Sequence, residues 1–219
     1  MNVVIAGGHG QIALRLARLL AARGDTVLSI IRNPAHTADV HETGAGPVVC
    51  DLESASPGEV TDVVTGADAV VFAAGAGPGS GAARKQTVDR DASVLLADAA
   101  ERAGVTDFVQ ISAMGAGDPP AAGRDEVWAA YIKAKGEAED DLRAREALDW
   151  LILRPGRLTD DPGTGLVALA EPPIGRGAVT RDDVAAVIVA LLDARDVRRR
   201  TLDLLNGDVP IAEAVAALR

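Results

Sequence analysis

Apolar positions near the start of the chain fall in short uninterrupted runs and in runs spaced for a helix. The segment from Asn2 to Ala6 is apolar after its first residue, residues 11–23 carry apolar positions at helical spacing, and Thr26 to Ile31 is again largely apolar. This order predicts a strand, a helix and a second strand, which together form a βαβ unit. The same patterns predict further strands at 47–50, 69–73, 107–112, 150–154 and 201–205. They predict helices after a cap at Ser56 and at 84–103, 124–147, 181–194 and 211–218, loops at 74–81 and 113–123, and an irregular stretch to about 180.

Strands that are apolar throughout and alternate with helices are typical of a parallel sheet covered on both faces. We therefore expect an α/β protein with a single Rossmann-like, doubly wound parallel sheet. The length of 219 residues suits one domain spanning 1–219, in which 155–180 and 200–219 contribute a small region on the substrate side. Ligands of such sheets bind outside the carboxyl ends of the strands, so the loops after the strands are expected to face one crevice.

The first predicted strand runs directly into a glycine-rich turn, Gly7 to Gly10, and a helix opens behind it. Glycines permit a tight turn and let the backbone approach a pyrophosphate, which lies on the free N–H groups and positive end of the helix. Because the turn stands between a strand and a helix, with a second strand one helix later, it predicts a dinucleotide site.

The residue that follows the second strand indicates which dinucleotide is bound. That strand leads into Arg32, and no carboxylate occurs before Asp39. NAD sites place a carboxylate here for the ribose 2′-hydroxyl, whereas an arginine accommodates the 2′-phosphate of NADP. We expect NADP (NADPH) as the cofactor rather than NAD; the alternative is that Arg32 is simply solvated.

Charge and composition exclude several classes of partner. The net charge of −10 argues against nucleic acid and acidic membranes. The longest apolar run, 184–192, is far shorter than a membrane span, and no basic segment precedes the first strand as in a secretory signal. The single cysteine, Cys50, is typical of a reducing cytoplasm. We expect a cytoplasmic monomer or homodimer that binds a small-molecule substrate and no metal.

The only tyrosine and one of the three lysines form the spacing Tyr131-x-x-x-Lys135. Residues four apart share a helix face, and an ammonium beside a phenol would lower the tyrosine pKa and favour proton transfer. Ser112 ends the fifth predicted strand, where its hydroxyl could orient a substrate carbonyl. The alternatives are a solvated helix with an incidental tyrosine and a serine that caps a turn.

Further motifs extend this pattern over nearly the whole chain, and with them the sequence resembles the atypical short-chain dehydrogenase/reductases, small NAD(P)-binding proteins of the epimerase/dehydratase-like and NmrA-like branch. The motifs that carry the resemblance are Gly7-x-x-Gly10-x-x-Ala13, Ala73-Ala74-Gly75, Val88-Asp89, Gly104-Val105, Ser112, Tyr131-x-x-x-Lys135, Leu153-Arg154-Pro155-Gly156 and Arg181-Asp182-Asp183-Val184-Ala185. The resemblance implies a catalytic triad of Ser112, Tyr131 and Lys135, with Lys135 also binding the nicotinamide ribose.

The resemblance also implies a role for Asp89, which stands where other branches place a proton-relaying asparagine, and adenine contact by Asp51. His9 replaces the usual small or hydroxyl residue of the phosphate loop, where it either touches pyrophosphate or faces solvent. The full set of cofactor-binding residues that it implies is Gly7, His9, Gly10, Gln11, Ile12, Arg32, Asp51, Leu52, Ala73, Ala74, Gly75, Lys135 and Pro155.

These observations predict an NADP-dependent oxidoreductase that transfers a hydride to or from a small carbonyl or alcohol substrate. Epimerase or dehydratase chemistry would use the same residues, with the hydride returned within one turnover. Two other functions remain open: an NmrA-like redox sensor that binds NAD(P) without turnover, and a flavin- or biliverdin-reductase-like enzyme. The substrate is not indicated by the sequence.

Overall fold

The computed structural model describes residues 1–77, 79–119 and 125–219; the predicted helix start at Arg124 lies outside them. The strands of the described residues are β1 (Asn2–Ala6), β2 (Thr26–Ile31), β3 (Gly46–Val49), β4 (Ala69–Phe72), β5 (Asp107–Ile111), β6 (Asp149–Pro155), β7 (Arg157–Thr159), β8 (Leu166–Ala170), β9 (Ala178–Thr180), β10 (Arg200–Asn206) and β11 (Val209–Pro210). The α-helices are α1 (Gln11–Ala22), α2 (Thr37–His41), α3 (Pro57–Val64), α4 (Ala82–Arg84), α5 (Ala92–Ala103), α6 (Glu126–Arg143), α7 (Arg181–Asp193) and α8 (Ile211–Ala216).

The central sheet confirms the predicted fold class. Its strand order is β11-β8-β10-β6-β5-β4-β1-β2-β3, which contains the doubly wound order 3-2-1-4-5-6. The strands from β3 to β10 across the sheet are parallel. Strand β8 is antiparallel both to β10 and to β11. Register places Asn2 opposite Thr26 and Ala6 opposite Ile30, so the carboxyl ends of β1 and β2 meet at one edge.

Alternate residues of each strand build two cores, one on each face of the sheet. Val3 and Ile5 of β1 join the cluster that includes α1 and α7, whereas Val4 and Ala6 join the cluster that includes α3 and α5. Phe72 and Phe108 are fully buried in the second cluster. This two-sided burial is the reason that the strands read as continuous apolar runs.

Two differences from the predicted elements affect the site. The predicted helix at 84–103 begins with α4 and continues as a π-helical segment, Lys85–Asp91, before α5. The stretch to about 180, predicted as irregular, contains β7, β8 and β9. The pairing of β8 with β10 involves residues more than 30 positions apart, which local patterns do not reveal.

Helix α6 begins at Glu126, capped by the Asp125 side chain, which accepts a hydrogen bond from the Trp128 N–H at 2.6 Å. It ends at Arg143, four residues before the predicted end. At α3 the predicted cap at Ser56 is confirmed, and it forms a capping box in which Ser56 and Glu59 each accept a hydrogen bond from the other residue's backbone N–H.

Candidate active site

The turn between β1 and α1 lies against its neighbours because its residues are glycines. Gly7 has φ +79°, and a Cβ there would lie 2.5 Å from Ala74 Cα. A Cβ at Gly8 would lie 2.5 Å from the Ser29 Cβ, and the Gly8 N–H donates to the Ile30 carbonyl at 2.8 Å. The turn is therefore held between β2 and the loop that follows β4.

The N-terminus of α1 has the features of an anion site. Gly10 is the N-cap, no side chain caps the helix N-terminus with a hydrogen bond, and the first turn holds no acidic residue. The first N–H groups of a helix have no intrahelical acceptor, and they carry the positive end of the helix dipole. Together with the close approach permitted by the glycines, this end of α1 fits a pyrophosphate.

A cleft of about 380 Å³ opens at this edge of the sheet. Nine of the predicted cofactor residues line it: Gly7, His9, Gly10, Arg32, Asp51, Leu52, Ala73, Ala74 and Gly75. Four others do not line it: Gln11, Ile12, Lys135 and Pro155. The Gln11 amide oxygen accepts from Arg15, Ile12 packs against the core, and Pro155 ends β6. Cys50 is half-buried in this lining, and burial raises the pKa of its thiol.

Arg32 faces a carboxylate that sequence reasoning did not identify. Its guanidinium donates to Glu53 at 3.0 Å, and Arg84 and the Thr87 hydroxyl also donate to Glu53, the latter at 2.7 Å. The hydrogen bond from Arg84, with those from Thr87 and Arg32, lowers the pKa of Glu53 to about 2 despite its partial burial. Arg32, Glu53 and Arg84 all line the cleft. This rim therefore holds two guanidinium groups bridged by one carboxylate.

His9 lies in the lining of the cleft and is stacked on a second histidine. Its ring is parallel to that of His36, with 3.6 Å between centroids, and its Nε2 lies 2.7 Å from Asp39 Oδ2. His36 also lines the cleft. The sequence left open whether His9 touches pyrophosphate or faces solvent. In the structure its side chain is one third exposed and contacts His36 and Asp39.

Three of the four predicted catalytic residues come together beside the cleft. Lys135 Nζ lies 3.4 Å from Asp89 Oδ1, 6.0 Å from the centroid of the Tyr131 ring, and donates to the Ile111 carbonyl at 3.2 Å. Asp89 Oδ2 accepts from the Ala76 N–H at 3.2 Å. Lys135 and Asp89 are buried, at 4% and 1% exposed. Since Ala76 lines the cleft, the cluster adjoins it directly.

The predicted lowering of the Tyr131 pKa is wrong for this conformation. Burial raises the pKa of the Tyr131 phenol above its ordinary value, and the charge on Asp89 raises it further. Burial also lowers the pKa of Lys135, against the opposing effect of Asp89. The Lys135 ammonium lies 6.0 Å from the centroid of the Tyr131 ring, and its charge does not offset the effect of desolvation on the pKa of the phenol.

Ser112 was predicted to end the fifth strand and lies one residue beyond β5, but its hydroxyl is bonded away from the crevice. It donates to Glu139 Oε1 at 2.5 Å, and a hydroxyl has only one hydrogen to donate. Glu139 is fully buried and also accepts from Arg143 at 2.5 Å and from Arg154 Nε at 2.8 Å. Arg154 further donates to the Ala116 carbonyl, which explains its place in the motif at the end of β6. Thus the structure joins Ser112 to Glu139, and its proton is not directed to the crevice.

Lys85 was not singled out by the sequence analysis, yet it lies at the same cluster. Its Nζ is 5.5 Å from the centroid of the Tyr131 ring, and Trp128 packs against the same ring at 5.5 Å between centroids. The scarcity of lysine was the available signal: the chain has 22 basic residues, and only Lys85, Lys133 and Lys135 are lysines.

The strand order and the glycine turn define a Rossmann-fold dinucleotide-binding protein. The chain belongs to the NAD(P)H-binding family, whose model matches residues 7–195. It is 36% identical to the uncharacterized sugar epimerase YhfK of Bacillus subtilis, over the full length of both chains.

Solved structures agree with this assignment. A candidate NAD-dependent epimerase/dehydratase of Bacillus halodurans is 33% identical, with a TM-score of 0.90 and 99% of both chains covered. The oxidoreductase ylbE of Lactococcus lactis is 26% identical, with a TM-score of 0.86 and with 100% of this chain and 96% of that chain covered. The resemblance to atypical, epimerase/dehydratase-like Rossmann proteins is therefore confirmed. Among the described residues, no helix has both the length and the apolar character needed to cross a membrane.

Proposed function

We propose that the protein is an NADP-dependent oxidoreductase that transfers a hydride between the nicotinamide and the carbon of a small carbonyl or alcohol substrate. The observation that carries this proposal is the cluster of half-buried Tyr131 with buried Lys135 and Asp89, which adjoins the dinucleotide cleft through Ala76. A protein that only binds the nucleotide has no need of a proton donor, an ammonium and a carboxylate assembled there. When bound, the nucleotide supplies the hydride.

The choice of NADP is supported by the two guanidinium groups at the rim of the cleft. Arg32 follows β2, in the position that accommodates a 2′-phosphate, and Arg84 lies across Glu53 from it. Arginine forms charge-assisted, bidentate contacts with phosphate. A dianionic phosphate beside these two guanidinium groups would gain charge-assisted contacts that a neutral hydroxyl cannot make.

Tyr131 is the proton donor in this proposal. The phenol is protonated at neutral pH and can donate to a carbonyl oxygen, although its raised pKa makes it a weaker acid than an ordinary phenol. The phenol O–H bond breaks and its proton passes to the substrate oxygen as the carbon receives the hydride. Lys135 then stabilises the phenolate electrostatically, and Asp89 holds the Lys135 ammonium in place.

Oxidoreduction is favoured over epimerisation of a nucleotide sugar by the way the chain continues after β6. Strands β8, β10 and β11 extend the central sheet, and Leu202 and Leu204 of β10 lie in its core. These strands are committed to the sheet and its core, which favours a small substrate over a sugar nucleotide.

Titration with NADPH and NADH tests the cofactor assignment. We expect wild-type protein and Arg18→Ala, an exposed arginine on α1, to prefer NADPH, and Arg32→Ala to lose that preference. Failure of both nucleotides to bind would overturn the proposal.

A carbonyl panel is then assayed with NADPH, and Tyr131→Phe should abolish most turnover while it leaves NADPH affinity unchanged. Equal turnover by wild type and Tyr131→Phe would contradict proton transfer by Tyr131, and tight binding with no turnover of any carbonyl would favour an NAD(P)-binding regulator.

A further inference from the structure

Lys85 carries a buried charge beside the only tyrosine of the chain. The residue is 7% exposed, and its Nζ lies 5.5 Å from the centroid of the Tyr131 ring. One of the three N–H donors of the ammonium bonds the Gly77 carbonyl at 2.9 Å, in the loop that continues from the cleft lining. That carbonyl is neutral, so the contact leaves the charge unbalanced.

The counter-charges in this region are assigned to the other two lysines. Asp89 pairs with Lys135 at 3.4 Å, and Glu137 pairs with the exposed Lys133 at 3.7 Å. Within the described ranges, no carboxylate lies within ion-pair distance of Lys85. A buried cation without a counter-ion is costly, and the cost is relieved when an anion binds beside it.

The position of Lys85 in its helix also indicates a functional role. It opens the π-helical segment Lys85–Asp91, and Asp89 lies four residues further on in the same segment. Insertions of this kind occur frequently at functional sites. The segment therefore presents a cation and a carboxylate at Tyr131, while the hydroxyl of Ser112 donates to Glu139.

We propose that Lys85 binds the substrate through an anionic group, a carboxylate adjacent to the carbonyl that is reduced. The inference rests on the proposed function, because it places the reacting carbonyl at Tyr131. No bond to Lys85 is made or broken: its ammonium donates hydrogen bonds to the carboxylate, while the hydride and the Tyr131 proton go to the carbonyl carbon and oxygen. The substrate class is then a 2-oxo carboxylate and its 2-hydroxy counterpart.

The test is calorimetric titration with oxalate, a non-reacting dianion of similar shape, into the full chain with and without saturating NADP⁺. The variants are Lys85→Met, which removes the charge, and Lys85→Arg, which keeps it. The matched control is Lys133→Met, on the exposed side of α6. We expect Lys85→Met to weaken oxalate binding by about tenfold or more, because a charge-assisted contact is lost. Lys85→Arg and the Lys133→Met control should stay within about threefold of wild type.

Kinetics and thermal stability supply a second readout. With NADPH, the wild type should reduce phenylglyoxylate with a higher kcat/KM than acetophenone, and Lys85→Met should lose that advantage mainly through KM. If Lys85 were structural, Lys85→Met would lower the melting temperature and leave oxalate affinity unchanged, and that result would overturn the inference. Absence of oxalate binding to wild type would overturn it as well. Binding of NADPH without binding of oxalate would reject this inference alone, whereas absence of NADPH binding would reject the proposed function.

Discussion

Gly136 of α6 packs directly against the backbone of Gly117 in the loop after β5. A Cβ at position 136 would lie 2.5 Å from Gly117 Cα and 2.6 Å from its nitrogen. The Gly117 N–H also donates to the Ile132 carbonyl at 3.1 Å. A glycine in the middle of a helix, unfavourable by about 1 kcal/mol relative to alanine, is thus explained by the contact that brings this loop onto α6.

Replacement of Gly136 by alanine should therefore destabilise the protein despite the gain in helix propensity. The new Cβ meets backbone atoms, which cannot move aside as a flexible side chain can. We expect a loss of about 1–3 kcal/mol in the free energy of unfolding, measured by urea denaturation.

The matched control is Gly58→Ala in α3, where the nearest atom to a new Cβ is Ser56 Oγ at 4.0 Å. That variant should be neutral or more stable by about 0.5–1 kcal/mol. Equal behaviour of the two variants would show that the contact at Gly117 does not decide the cost.

Glu53 should make the stability of the protein depend on acid pH. Its pKa falls from 4.5 to about 2 on folding, chiefly through the hydrogen bond from Arg84. A group whose pKa is lower in the folded state contributes stability that is complete above its unfolded pKa and is lost as the pH falls through its folded pKa. The contribution of Glu53 should therefore disappear between about pH 4.5 and about pH 2.

Urea denaturation at a series of pH values measures this effect. Glu53→Gln should show a shallower decrease in stability over that window than wild type, whereas Glu213→Gln, an exposed residue of α8, should follow the wild-type curve. Parallel curves for wild type and Glu53→Gln would reject the assigned role of the arginine contacts.

A buried ion pair joins β5 to the segment before β10. Arg198 donates to both oxygens of Asp107 at 2.7 and 2.9 Å, and their side chains are 7% and 8% exposed. Asp107→Asn should cost about 3–5 kcal/mol, because it leaves the Arg198 charge buried without a counter-ion. Asp140→Asn breaks the exposed pair with Arg143 and should cost at most about 1 kcal/mol. Equal midpoints of denaturation for the two variants would contradict this assignment.

Thr180 caps α7 and fixes the preceding loop through Asp183. Its hydroxyl accepts from the Asp183 N–H at 3.0 Å and donates to Asp183 Oδ2 at 2.9 Å, while the N–H groups of Thr164 and Gly165 donate to the same carboxylate. Thr180→Val keeps the side-chain shape and removes the hydroxyl, so we expect a loss of about 1–2 kcal/mol in thermal or urea denaturation. Thr26→Val, at an exposed position that begins β2, should have little effect, and a similar loss in both variants would refute the capping role.

Local signals account for the parts of the fold that the sequence predicted well. The bounds of β1 and β2 agree with prediction because each strand is an apolar run bordered by glycine or a polar turn. The predicted strands at 69–73 and 107–112 extend one residue beyond β4 and β5, and in each case the extra residue continues the backbone bonding, as in the Ser112 N–H to Leu153 carbonyl bond. Positive φ at Gly104 ends α5 as expected.

Interactions between distant residues account for what the sequence did not predict. Glu53 and Arg84 are 31 positions apart, and only the fold brings them to the same rim. Ser112 and Glu139 are 27 positions apart, and the choice of the serine hydroxyl between Glu139 and the crevice depends on side-chain geometry. The π-helical segment depends on a shift in backbone bonding that leaves the apolar pattern of a helix almost unchanged.

The contacts of Glu139 have a consequence for the divergence of substrate preference. This carboxylate connects the end of β5, strand β6 and the middle of α6 in one buried group, so the helix that bears Tyr131 is anchored to the sheet as well as to the loop at Gly117. Residues of that loop which do not touch α6 can then accumulate substitutions that reshape the crevice while α6 keeps its position. If the proposed function holds, one scaffold of this kind can give rise to enzymes that share a proton donor and differ in the molecules they accept.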